Sequence, residues 1–82
     1  MLYTYRTHGT CSRKIEIELD GDVIRDVRFE GGCNGNLKGL AALTAGMTID
    51  DVIDRLSGIR CGFKKTSCPD QLAEALKAYK AG

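Results

Sequence analysis

The chain has 82 residues, with 12 Lys plus Arg against 11 Asp plus Glu and a net charge of +1. So even a balance argues against a dedicated nucleic-acid or membrane-surface protein, and no run is long or apolar enough to span a bilayer. The length fits one domain, 1–82, in which a hydrophobic core alone supplies roughly 3–5 kcal/mol, so a covalent or metal staple would help.

In chain order, Leu2 to Thr7 reads as a first edge strand, with Tyr3 and Tyr5 on one side. His8-Gly9-Thr10 breaks it, and Cys11 follows the break. Arg13 to Leu19 alternates, with Ile15, Ile17 and Leu19 on one face and Lys14, Glu16 and Glu18 on the other, which predicts a half-buried strand. Asp20-Gly21-Asp22 tolerates a tight turn, so Val23 to Glu30 is expected to fold back as a hairpin partner with Val23, Val27 and Phe29 inward.

Gly31-Gly32-Cys33-Asn34-Gly35-Asn36 then puts three glycines around one thiol, where backbone can approach a ligand closely. It is neither a Walker loop nor a dinucleotide fingerprint, since the lysine and the βαβ context are missing. Asn36 is the expected cap of a helix through Leu37, Leu40, Ala41 and Leu43 that stops near Gly46. Thr48 with Asp51 three positions on resembles a capping box for a second helix, with Ile49, Val52, Ile53 and Leu56 apolar and Gly58 at its end. Asp50, Asp51 and Asp54 suit the helix dipole and need no catalytic role. A last helix from Pro69 to about Lys80 carries Leu72, Leu76 and Tyr79 on one face, with Pro69 suited to the first helical position and Ser67 or Cys68 as its cap. Strands first and helices afterwards give an α+β fold: a three-stranded antiparallel sheet with about three helices on one face.

The chemistry rests on Cys11, Cys33, Cys61 and Cys68, each at the end of an element. Met1 to His8 has no apolar stretch of signal-peptide kind, so the expected location is cytoplasmic, where thiols serve as metal ligands or redox groups more often than as disulfides. The hairpin sets the start of the second strand beside the end of the third, which brings Cys11 and Cys33 together. The orphan N–H groups and dipole of the last helix favour a thiolate at Cys68. A tetrahedral four-thiolate site, with zinc as the metal, accounts for the whole distribution. A redox pair of Cys61 and Cys68 is the alternative, and inert burial of the four thiols the blandest one. His8 reads as a solvated loop histidine, and Arg60, Lys64 and Lys65 as a basic cluster beside the thiols.

Thr66-Ser67-Cys68-Pro69-Asp70 resembles the TSCPD domain family, which is named for this pentapeptide. The Gly31 to Asn36 segment, Leu40 to Gly46, Cys61-Gly62 and the Cys68 helix look like its small, four-cysteine, stand-alone branch. Related domains end the adenosylcobalamin-dependent ribonucleotide reductases, so the resemblance implies a link to deoxyribonucleotide synthesis. It also implies an accessory part rather than a catalyst, since the chain lacks the reductase barrel. A ribonucleotide reductase or another protein is then the partner, with no nucleic acid and no membrane. The chain is also distantly similar to U-type iron-sulfur cluster scaffolds, in which Cys33 and Cys68 match two ligands. That similarity makes an iron-sulfur cluster the alternative to zinc.

Overall fold

A computed structural model describes residues 1–7, 12–31, 34–59 and 66–81. Three strands come first, β1 (Leu2–Arg6), β2 (Ser12–Asp20) and β3 (Val23–Gly31), followed by three helices, α1 (Asn34–Thr44), α2 (Ile49–Leu56) and α3 (Cys68–Ala81). The sheet is antiparallel in the order β1-β2-β3, so the α+β arrangement expected from the sequence is the one observed.

The alternation in β2 does the sorting. Ile15, Ile17 and Leu19 are buried, and Glu16 and Glu18 face the other way. Tyr3 and Tyr5 pair with Ile17 and Ile15 and extend the inner face onto β1. Gly21, at φ +60°, makes the tight turn between Asp20 and Val23.

In β3 the expected phase is corrected. Glu18 pairs with Asp26 but Leu19 pairs with Ile24, so β3 holds one extra residue at this point. That bulge reverses the alternation behind it. Ile24 is therefore fully buried and Val23 only half-buried, while Val27 and half-buried Phe29 keep their inward places.

The helices cover the inner face. Ile49 and Val52 of α2 and Leu72, Ala75 and Leu76 of α3 join the strand residues in one core, each fully buried Val, Leu or Ile side chain contributing about 1.5–3 kcal/mol. Helix α1 opens at Asn34, ahead of the expected cap, so Asn36 lies in its first turn, where N–H groups need no intrahelical partner. It ends at buried Thr44, whose hydroxyl donates to the Leu40 carbonyl at 3.0 Å. Gly46 follows at φ +89°, which turns the chain back onto β3: the Gly46 N–H donates to the Ile24 carbonyl at 2.7 Å and the Ile24 N–H to the Met47 carbonyl at 2.9 Å. Thr48 caps α2 as expected, its side chain accepting the Asp51 N–H at 3.2 Å.

Helices α2 and α3 run antiparallel. Lys80 near the end of α3 bonds Asp50 at the start of α2, and Asp70 at the start of α3 bonds Gly58 just past the end of α2. The Tyr79 ring meets Tyr3 edge-on at 5.3 Å, and its hydroxyl lies 3.8 Å from the Met1 sulfur. The end of α3 therefore sits by the β2–β3 turn, and its first turn lies at the opposite end of the sheet.

Candidate functional site

The start of α3 is built by a polar network drawn from its own first turn and from the end of α2. Helix α3 begins at Cys68, which makes Ser67 the cap and puts Pro69 in the second helical position rather than the first. Pro69 loses nothing there, because that N–H is also one of the four without an intrahelical acceptor. The buried Ser67 hydroxyl accepts the Asp70 N–H at 3.1 Å and donates to the Ile59 carbonyl at 2.6 Å, and the Ser67 carbonyl accepts the Gln71 N–H at 2.8 Å.

Asp70 is the centre of the network. It is only 8 % exposed. Its Oδ1 accepts the Gly58 N–H at 2.7 Å and its Oδ2 accepts the Thr66 hydroxyl, which in turn accepts Gln71 Nε2 at 3.1 Å. Gly58, at φ +83°, takes a backbone conformation that side chains resist, and this aims its N–H at the carboxylate. Two bonds, Ser67 to Ile59 and Asp70 to Gly58, thus tie the end of α2 to the start of α3. Cys68, half-buried, occupies the first helical position directly above this tie.

Tyr5 lies nearby on the inner face of β1. Burial, then the negative charge of Glu74, then Tyr3 and Asp70 hold its phenol above the usual tyrosine range. The reach of Asp70 and Glu74 to Tyr5 agrees with the direction of α3: its first turn overlies the end of the sheet where Arg6 pairs with Lys14 and Ser12 with Gly31.

Of the expected site residues, Cys68 is described and stands at this end. Cys11, Cys33 and Cys61 lie outside the described residues, as do His8, Arg60, Lys64 and Lys65. The described residues that flank them are informative. Thr7 donates to the Arg13 carbonyl at 3.1 Å, Ser12 pairs with Gly31, and Ile59 is held by Ser67. The connections 8–11, 32–33 and 60–65 therefore leave and rejoin the described chain at one end of the sheet, the end where α3 starts. Among the described residues, no three His, Cys, Asp or Glu side chains are grouped to hold a metal ion.

Asp70 was the residue that reading for thiols passed over. Its signal is in the chain, since Ser67 followed by Asp70 three positions later has the same capping spacing as Thr48 and Asp51. Three residues of the pentapeptide, Thr66, Ser67 and Asp70, thus hold the helix start in place. A family model of the TSCPD domain matches residues 3–80. The chain belongs to the TSCPD domain family. No curated protein and no solved structure matches it at a significant level. In this TSCPD domain the signature pentapeptide divides into a hydrogen-bonded frame and the Cys68-Pro69 dipeptide that the frame positions. No helix among its described residues is long and apolar enough to cross a membrane.

Proposed function

We propose that this TSCPD domain is a small metal-binding accessory module, with Cys11, Cys33, Cys61 and Cys68 as ligands and zinc as the metal. The observation that carries the reading is the arrangement at the start of α3. Cys68 sits on a rigid, hydrogen-bonded frame at the same end of the sheet as the described flanks of all three connections that bear the other cysteines. Four thiolates are a donor set suited to tetrahedral zinc. A domain of this size has little core to spare, so a metal that joins three connections adds directly to folding. The family resemblance extends the proposal. The module belongs to the four-cysteine branch, works in the cytoplasm and docks on a ribonucleotide reductase or another protein, in support of deoxyribonucleotide synthesis rather than as the catalyst. The order of three strands and then helices, with a cysteine opening the last helix, is also what the likeness to U-type iron-sulfur scaffolds rests on.

The test is elemental analysis of protein purified without added metal, together with thiol counting and melting before and after chelation. About one zinc per chain, four thiols released by chelation and a sharp loss of stability support the reading. Cys68→Ser leaves the Ser67 cap in place but removes a soft anionic ligand, so metal content and melting temperature fall together. Full stability after verified metal removal overturns the proposal. Iron with sulfide in place of zinc moves it to a cluster carrier. A metal-free fold in which Cys61 and Cys68 form a reversible disulfide moves it to a thiol relay.

A further inference from the structure

The two edges of the sheet are treated differently. The start of β3 is closed by its own chain, through the bridge between Val23 and Thr48 and the bonds between Ile24 and residues Gly46 and Met47. No described residue pairs with the outer edge of β1. Met1 exchanges both its backbone bonds with Leu19, and Thr7 donates to Arg13. Because antiparallel bonding alternates, Tyr3 and Tyr5 also point their backbone groups at β2, and Leu2, Thr4 and Arg6 point theirs outward. This edge, with no strand partner among the described residues, is short and rich in strand-forming residues, which makes it a template for another strand.

We propose that the strand it takes is β1 of a second copy, antiparallel about a two-fold axis at Thr4. That register is self-complementary. Thr4 exchanges bonds with its counterpart, and Leu2 of each copy does so with Arg6 of the other, so every outward group finds a partner. Charge selects the same register. On the open face Leu2 is 57 % exposed and stands beside Glu18, which pairs with Asp26. These residues, with Glu16 and Arg28, line a groove of about 300 Å³ in which Arg28 pairs with Asp26 and the Met1 ammonium with Glu18, so its three carboxylates outnumber its two cations. Arg6 stands instead beside Lys14. The two-fold therefore lays the Arg6 side chain of one copy over Leu2 of the other and toward its acidic groove. With strands spaced about 4.8 Å apart, Arg6 lies about 10 Å from Glu18 across the axis, within the combined reach of the two side chains. A pair of five-residue strands makes a small contact, so the dimer is weak and salt-sensitive.

Sedimentation equilibrium over a range of protein and salt concentrations tests this. The chain should show a monomer–dimer equilibrium that loosens as salt rises. Thr4→Pro removes an outward N–H and leaves the β2 bonds alone, and should abolish the dimer while thermal unfolding shows the monomer still folded. Arg6→Glu, a surface change that the fold tolerates, should weaken association about tenfold, because it sets like charges together at both symmetric contacts. Arg6→Glu combined with Glu18→Arg should restore it. A chain that stays monomeric at every concentration, a dimer unaffected by Thr4→Pro and Arg6→Glu, or a double swap without recovery overturns the proposal. Metal content takes no part in this readout, so its outcome is separate from that of the thiol site.

Discussion

Replacing Asp70 by alanine removes the carboxylate that joins the end of α2 to the start of α3. Two bonds are lost, from the Gly58 N–H at 2.7 Å and from the Thr66 hydroxyl. Hydrogen bonds to a charged group are worth about 1.5–3 kcal/mol each. Gly58 is exposed and Thr66 half-buried, so water can reach the donors left behind and the lower part of that range applies. The expected loss is about 3–4 kcal/mol, a drop in melting temperature of roughly 12–32 °C for a domain of this size. Asp51→Ala is the matched control. It sits at the same helical position in α2, but its carboxylate is exposed and the cap bond comes from its backbone N–H, so the loss stays within about 0.5 kcal/mol. Urea and thermal melts of both variants measure the difference. A cycle with Thr66→Val then isolates one bond, with a coupling of about 1 kcal/mol expected between Thr66 and Asp70. Asp70→Ala within about 0.5 kcal/mol of the parent, or strict additivity in the cycle, refutes the account of the pentapeptide as a frame.

Ser67→Ala takes away both the cap of α3 and the donor to the Ile59 carbonyl, and should cost about 2–3 kcal/mol in a urea melt. Tyr5 gives a pH dependence. Its folded phenol is raised by burial and by nearby negative charge, so the unfolded state loses its proton first as pH rises. Stability is full below the ordinary tyrosine range and falls as pH climbs from there through the raised folded value. Tyr5→Phe should flatten that share of the alkaline decline in melts taken across the range, and an unchanged slope counts against it.

Much of the fold was legible in the chain because its signals are local. The alternation of Ile15, Ile17 and Leu19 fixes the inner face of β2, and Thr48 with Asp51 fixes the start of α2. The phase of β3 was not, because a bulge depends on how two strands align across a turn, and Val23 and Ile24 suit the core equally well as isolated residues. The helix start at Cys68 turned on which of two adjacent polar residues finds a partner, and the partner, Ile59, lies eight residues back in the chain. The role of Asp70 depends likewise on Gly58, twelve residues away. Of the site itself, Cys68 was legible as a helix-terminal thiol, since proline and serine beside it speak for a helix start on their own.

The contact between Tyr79 and Met1 closes the molecule on itself at the pole where the β2–β3 turn lies. Both termini of the described chain therefore emerge at that pole, and the first turn of α3 faces away from it. An affinity tag or a fused domain at either end leaves the Cys68 pole open to a partner. A short linker from the end of α3 back to Met1 would also allow the chain to be reopened at the Gly21-Asp22 turn, giving a circular permutant that keeps the start of α3 intact.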